Sequence, residues 1–425
     1  MAGRPDCDVL VVGAGPAGTT LSRLLALRGW RVTVLDRRPI PRPKACGEFV
    51  SPGALSAMRR VGIDTAPLEG AAGPVWGWEF SVGGAHARAQ FDRGRAGISL
   101  PRARLDQHLA ACAEAAGVRI LTETTFTRAT ESADGIRAST RALGSGGRSG
   151  DISARFLVGA GGLRCPVSAG MGPRPRARHR KVSLTCHVAG LSWRPGFGRL
   201  RIDGPLTAGA APSDPSGESW NVTVVASGRR LARELAPDPT GFFWRALQSL
   251  GWLEAADRLR DDGAGSSVID GPWASGPFDR PTPTRSTDRR VVIGDAAGYY
   301  DPLTGQGIYQ AIRSAELLAP HLHSVLVGSA RPGRAFGHYA RTVGRERRRT
   351  VRLQRLIDGA LRGPRRQALT GELLKAWPAL YHQLIQVTGD AKSPTDAARA
   401  LVGRIAGSRG YIHPTPEPPM GEATH

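Results

Sequence analysis

Val9-Leu10-Val11-Val12-Gly13-Ala14-Gly15-Pro16-Ala17-Gly18 is the stretch from which the rest of the chain is read. Residues 7–12 form a short, nearly continuous apolar run, the mark of a strand buried on both faces of a parallel sheet. Beyond the glycines, Ala17, Leu21, Leu24 and Leu25 recur at helical spacing, and Gly29 is placed to cap that helix. Residues 31–35 read as a second strand ending at Asp36, which completes a βαβ unit. The three glycines serve different ends. Gly13 permits the tight turn, Gly15 lets backbone approach a pyrophosphate, and Gly18 allows close helix–strand packing. The helix N-terminus offers free N–H groups and a positive dipole end to phosphates. Asp36 follows Gly13 by 23 positions, where an acid can accept from a ribose 2′-OH. Gly13, Ala14, Gly15, Pro16, Ala17, Gly18, Asp36 and Arg37 are therefore the expected dinucleotide contacts. The motif alone leaves NAD, NADP and FAD open.

A second motif narrows the choice. Arg290-Val291-Val292-Ile293-Gly294-Asp295-Ala296-Ala297-Gly298 reads as a strand and a Gly-Asp turn, and residues 301–308 (DPLTGQGI) then lead into a helix. An acid at such a strand end can bind a ribityl or ribose hydroxyl. The backbone of Gly305, Gln306, Gly307 and Ile308, opening a helix, can face the electron-rich N1/O2 edge of a flavin.

With those motifs stand Lys44-Ala45-Cys46-Gly47-Glu48, Ser51-Pro52-Gly53-Ala54-Leu55 and Arg102-Ala103-Arg104-Leu105-Asp106. Together they make residues 6 to 390 resemble the FAD-dependent oxidoreductases that group geranylgeranyl reductases with aromatic hydroxylases of the para-hydroxybenzoate hydroxylase fold. The resemblance implies an α/β architecture: a Rossmann-like FAD-binding domain of glutathione-reductase type, an inserted antiparallel β-sheet substrate domain and a C-terminal helical region. The expected divisions are 1–64, 101–177 and 281–330 for the FAD-binding domain, and 65–100 with 178–280 for the substrate sheet. Residues 331–412 form the helical region and 413–425 a flexible tail, with a turn at 144–147. The resemblance also implies that Asp295 contacts FAD, that Arg102 lies along the phosphate–ribityl chain, and that Gly305 to Ile308 border the pyrimidine end. Cys46 and Gly47 would sit near the flavin and the substrate cavity.

There are departures. Hydroxylases of this fold carry an Asp-Gly motif after the strand matching 156–158, and here Gly161, Cys165 and Ser168 replace its Asp, Ser and Arg. Electrons then come either from NAD(P)H or from a partner flavin reductase. Trp76-Gly77-Trp78 invites comparison with tryptophan halogenases, but Glu79 and Phe80 follow instead of their Ile-Pro, which disfavours halogenation. No acid–base dyad is obvious; the pocket candidates are Cys46, Glu48, Trp78, His187 and Tyr300. The expected function is an FAD-dependent monooxygenase acting through a flavin C4a-hydroperoxide on an aromatic or lipophilic intermediate of secondary metabolism, such as a polyketide pathway. The run Gly276-Pro277-Phe278-Asp279-Arg280-Pro281 resembles that subgroup. The alternatives are a geranylgeranyl-reductase-like enzyme reducing isoprenoid C=C bonds, and a flavoprotein with a structural or cyclase-like flavin.

Composition bounds the partners. The net charge is +22, and its densest basic run is residues 341–366. No zinc-finger spacing or RNP-like aromatic motif accompanies it, which disfavours nucleic acid. Leu353, Leu356, Ile357 and Ala360 share one helical face away from Arg348, Arg352 and Arg355, so peripheral contact with anionic lipid stays open beside packing on the FAD domain. The five scattered cysteines support neither a disulfide framework nor a metal site. With no signal-peptide layout and no spanning apolar run, a cytoplasmic location is expected.

Overall fold

The computed structural model describes residues 4–132, 134–143, 149–172, 181–191, 193–253, 267–282 and 285–407. The turn expected at 144–147 and the tail at 413–425 lie outside them. Along the chain run β1 (Cys7–Val12), α1 (Pro16–Ala26), β2 (Val32–Leu35), β3 (Phe49–Val50), α2 (Pro52–Arg60), α3 (Ala66–Glu69), β4 (Gly73–Val82), β5 (Ala85–Gln90) and β6 (Gly97–Ser99). Then come α4 (Arg102–Ala115), β7 (Arg119–Leu121), β8 (Thr124–Ser132), β9 (Gly135–Ala142), β10 (Ser149–Gly159) and α5 (Pro166–Ala169). The second half holds β11 (Lys181–Ala189), β12 (Gly196–Asp203), β13 (Leu206–Pro212), β14 (Ser219–Ser227), α6 (Arg229–Leu235), α7 (Pro239–Ser249), β15 (Ser267–Ser275), β16 (Arg280–Pro281), β17 (Arg290–Val292) and β18 (Gly298–Tyr299). It closes with α8 (Gly307–Leu326), α9 (Pro332–Ala360), α10 (Pro364–Ala376), α11 (Pro378–Thr388) and α12 (Pro394–Gly407).

The first sheet runs β7-β2-β1-β10-β9-β8, with β17 also pairing with β10. β1 is parallel to β2 and to β10, and β10 is parallel to β17. Val9, Leu10 and Val11 are wholly buried because both faces of this strand are covered. Ala17, Leu21 and Leu25 of α1 pack on one face together with α8 and α9, while Leu10, Val12 and Leu35 meet Phe126, Ile136 and Ala138 on the other. α1 ends at Ala26, and Gly29 takes φ +84° while the N–H groups of Gly29 and Trp30 bond back to Ala26 and Leu25. That is the left-handed cap its position predicts. Since β1 connects outward to β2 on one side and lies against β10 on the other, a crevice opens beyond their carboxyl ends, the usual ligand position in such a sheet.

The second sheet runs β15-β11-β14-β13-β12-β4-β6-β3, with β5 added on β4. Trp220, Val222 and Val224 of β14 alternate toward α7, packing with Phe242, Phe243 and Leu247. Asn221, Thr223 and Val225 point the other way. The sheet differs from the antiparallel expectation at one seam, where β12 runs parallel to β4. These two strands come from separate stretches of chain with no tight turn between them, so no hairpin imposes an antiparallel register. A second difference is α6 and α7, which cover the sheet where only strands and turns were expected. A third is β3: Phe49 and Val50 pair with Ser99 and Ile98, so the segment carrying Cys46 to Glu48 enters the second sheet.

Candidate active site

The crevice beyond β1 and β10 is a cleft of about 540 Å³. Gly13, Gly15, Pro16, Ala17, Asp36, Arg37, Cys46, Gly47, Glu48, Arg102, Asp295, Gly305, Gly307 and Ile308 all line it, although some are nearly 300 positions apart in sequence. The three glycines of the first turn differ as their spacing suggests. Gly13 takes φ +115°, and a side chain there would run into the Ala160 carbonyl; one on Gly18 would run into the Gly13 carbonyl. A Cβ on Gly15 would project into the cleft, with only the Lys44 ammonium within 4.0 Å. Ala14 and Gly18 lie behind the wall rather than on it. Asp36 does more than line the cleft: its carboxylate accepts from Ala14 N–H and Arg38 N–H, both at 3.0 Å, and pairs with Arg42 at 3.1 Å. It braces the glycine turn and is engaged by Arg42.

At mid-cleft Arg102 is held by Asp106, one helical turn on, at 2.9 Å. Lys44 meets the same buried carboxylate. Burial works against the guanidinium charge, but Asp106 and the Cys46 sulfur more than offset it and keep Arg102 firmly protonated. Glu48, one of the pocket candidates, is buried, 1% exposed, with φ +55°. A non-glycine residue holds that left-handed conformation only when its surroundings over-determine it. Here Glu48 Oε1 accepts from Arg102 N–H at 2.7 Å, Oε2 meets His187 Nε2 at 2.7 Å, and Glu48 N–H donates to Cys46 Sγ at 3.3 Å. Asn221 Nδ2 donates to the Cys46 carbonyl at 3.1 Å. His187 and Asn221 thus fasten the 46–48 turn to the second sheet.

Burial alone would depress the imidazole pKa, but the hydrogen bond and charge of Glu48 raise that of His187 above its ordinary value. A raised histidine adds stability in full below the ordinary imidazole range and loses it as pH climbs through the raised value. Glu48→Gln is therefore expected to lower unfolding free energy by about 1–3 kcal/mol in mildly acidic buffer and to flatten its pH dependence toward alkaline pH. Denaturant midpoints across pH measure this, and a parallel offset at every pH would sink the assignment.

At the far end, Asp295 and Tyr299 line the cleft. Burial pushes the Asp295 carboxyl up to about 6, while Arg347 and Arg102 hold it down. Arg347 comes from α9; burial lowers its own pKa to about 10, against the opposing charge of Asp295. Tyr300, a sequence candidate, does not reach the cleft: it is buried in a separate polar crevice near Arg347 and Gln354. Its neighbour Tyr299 takes the cleft position, because successive residues of an extended segment face opposite ways.

Gln306 is likewise buried behind the Gly305–Gly307 backbone. Its Nε2 donates to Asp390 Oδ1 at 2.6 Å, and Ser51 Oγ donates to Asp390 Oδ2 at 2.9 Å. Burial raises the Asp390 carboxyl to about 8, with the two hydrogen bonds opposing. Between the ordinary carboxylate range and that value the unfolded chain releases a proton the folded one retains, so stability falls as pH rises through the window. Asp390→Asn should remove that fall and make the protein more stable than the parent at pH near 8. Asn tolerates the left-handed φ of +55° found here, its Oδ1 can still accept from Gln306 Nε2, and its amide nitrogen can donate to the Ser51 hydroxyl, which serves as donor or acceptor. Thermal melts at acid and alkaline pH check this; equal shifts at both would contradict it.

A second cavity, of about 160 Å³, shares Gly47, Phe49, Thr223, Pro302 and Gly305 with the cleft. Trp78, Phe80, Leu200, Ile357, Leu384 and Ile385 complete an apolar wall. Tyr381 is its one ionisable lining residue among the described residues, and its hydroxyl donates to the Trp78 carbonyl at 3.0 Å. Trp78 therefore belongs to this cavity, whereas Trp76 is half exposed. Of the five pocket candidates, Cys46 and Glu48 line the cleft, His187 stands behind Glu48, Trp78 lines the apolar cavity and Tyr300 is elsewhere. Sequence reasoning missed Arg347, Asn221 and Asp390, which carry no local motif. Asp106, four positions from Arg102, was the one partner with a local signal.

The profile of the FAD binding domain matches residues 6–195. Over that stretch the chain is similar to FAD-dependent oxidoreductases. Digeranylgeranylglycerophospholipid reductase 1 of Methanothermobacter thermautotrophicus is 27% identical over 350 residues, covering 79% of this chain and 82% of that protein. Menaquinone reductase of Mycobacterium tuberculosis is 26% identical over 432 residues, covering 96% of both. Among solved structures, the flavin-dependent halogenase CmlS superposes with a TM-score of 0.74 at 20% identity, over 96% of this chain and 78% of its own. Halogenase PltM in complex with phloroglucinol and FAD gives 0.72 at 16% identity, over 93% of this chain and 85% of its own, which shows a shared fold. This FAD-dependent flavoenzyme has a cleft that suits the cofactor. The open side of Gly15, the unobstructed Gly307 and the Asp295 carboxylate all face it, and Asp295 has no side-chain hydrogen-bond partner among the described residues.

Proposed function

We propose that the cleft holds FAD with its pyrophosphate on the Gly13–Gly18 turn, where the α1 N-terminus favours anions. Asp36 and Arg37 then stand at the adenosine end, Arg102 along the connecting chain, Asp295 at the ribityl hydroxyls and Gly305 to Ile308 at the pyrimidine edge. On this reading the enzyme is a monooxygenase of an aromatic or lipophilic intermediate. The observation that carries it is the apolar cavity opening on the cleft at Gly47, Phe49 and Gly305. When bound, reduced flavin activates dioxygen for transfer to carbon. The chain's own part is to bind, orient and keep water out: Phe49, Trp78 and Phe80 offer ring faces and edges to an unsaturated substrate. Among the described residues the cavity wall supplies no carboxylate, imidazole or amine, and oxygen transfer asks for none there.

A second reading, reduction of isoprenoid C=C bonds, is favoured by the reductases among the relatives and by the Glu48–His187 pair. Reduction needs a proton as well as a hydride, and that pair holds one at the cleft wall. Enzyme reduced chemically and mixed with labelled dioxygen and a panel of alkylresorcinols and prenyl quinones separates the two. Label in the product supports monooxygenation; a saturated product formed without oxygen supports reduction. Flavin reoxidation with every substrate untouched would sink both.

A further inference from the structure

One surface plays no part in the site. Leu356 and Leu369 are each 71% exposed, Leu373 49% and Trp377 37%. Leu369 and Leu373 lie one turn apart on the outer side of α10, and Trp377 follows at the same spacing at its C-terminal end. The inner side of that helix is fixed by Gly371 against Val82 and by Gln367, whose amide donates to the carbonyls of Gly204 and Leu361. Leu356 and Ala360 lie one turn apart on the outside of α9, and Thr370 Oγ1 donates to the Ala360 carbonyl at 3.0 Å. The two stripes therefore lie edge to edge. The helical face expected from sequence is divided: Ile357 and Leu361 turn inward to line the apolar cavity, while Leu356 turns out.

The rim of this patch is cationic. Arg349, Arg352, Arg362, Arg365 and Arg366 are exposed on or between the same two helices, as is Lys375, against one exposed acid, Glu372. A second copy of the chain would bring like charges together across such a face. An anionic bilayer meets both features at once, since leucine and tryptophan enter the acyl boundary while arginines stay at the headgroups.

We infer that the outer face of α9 and α10 docks the enzyme on an anionic membrane surface. The last turns of α9 then carry Leu356 on the lipid-facing stripe and Ile357 on the wall of the cavity, with Leu361 just beyond the helix on the same wall. A lipophilic substrate passes from bilayer to cavity without crossing water. The route rests on the proposed substrate class, but the docking does not, and binding is read without turnover.

Full-length flavin-loaded enzyme is sedimented with vesicles of phosphatidylglycerol and phosphatidylcholine in equal parts, and with phosphatidylcholine alone. The parent should pellet with the first, far less with the second, and progressively less as salt is raised. The double variant Leu369→Glu/Leu373→Glu should bind about a hundredfold more weakly while keeping its flavin and its thermal melting point. Arg362→Gln/Arg365→Gln should lose the preference for phosphatidylglycerol and keep a well-folded chain. Equal sedimentation of parent and both variants, or no sedimentation of the parent, overturns the inference. So does a parent dimer that the leucine variant converts to monomer without any vesicle binding.

Discussion

Asp295→Ala is expected to purify with a small fraction of the parent's yellow flavin absorbance. A hydrogen bond to a charged group contributes about 1.5–3 kcal/mol, which is roughly a 10- to 150-fold loss of FAD affinity. The variant also strands Arg347, whose guanidinium already sits at about 10 because of burial. Removing the counter-charge of such a group costs stability in either variant, so Asp295→Asn is paired with the alanine variant to separate loss of charge from loss of the side chain. The amide keeps the shape of the turn and removes only the charge. The parent carries a further signature, because its carboxyl lies near 6 in the flavin-free protein. The ionised form is the better acceptor for a ribityl hydroxyl, so FAD affinity should weaken as pH is lowered through that value. Asp295→Asn should abolish this dependence. Equilibrium dialysis of FAD across pH reads both effects, and an alanine variant with full flavin content would remove Asp295 from the cofactor site.

Gly209→Phe addresses the other half of the site. Gly209 lines the apolar cavity from β13, and a Cβ there would make only ordinary contact, 3.6 Å from Leu200 Cδ1. The strand can therefore carry a side chain, and a benzyl group would occupy much of the 160 Å³. Turnover of any substrate bound there should fall by about 100-fold or more, because the space that orients it is gone. Flavin content should not change, since Gly209 does not touch the cleft. Gly209→Ala serves as the control and should remain close to the parent. If Gly209→Phe turns over at the parental rate, the substrate binds elsewhere and the reading of this cavity fails. If Asp295→Ala loses flavin while Gly209→Phe keeps it, cofactor and substrate sites are separable.

What could be read from short stretches of chain was what is local. The different roles of Gly13, Gly15 and Gly18 depend on a turn of six residues, so spacing carries them. Gly29 caps α1 for a similar reason. Asp295 was legible from the strand and turn around it. Tyr300 was misplaced by one residue, because in an extended segment the facing side alternates and nothing local says which side holds the cleft. Glu48 and His187 are 139 positions apart, Ser51 and Asp390 are 339 apart, and no periodicity connects either pair. The parallel seam between β4 and β12 and the helices α6 and α7 were hidden for the same reason: pairing and coverage depend on partners contributed by remote chain.

The amino-acid sequence by itself determined the nucleotide turn, the strand that feeds it and the second glycine-rich turn that lines the far end of the cleft. These are matters of backbone conformation and close approach over a few residues, which a short stretch of chain can encode alone. Only the tertiary structure decided that Glu48 is a buried, strained acid held by His187, that Arg347 faces Asp295, and that an apolar cavity opens where Gly47 and Gly305 meet. Burial and electrostatic neighbourhood are properties of what surrounds a residue, and here the surroundings come from two sheets and a helical layer far apart in the chain.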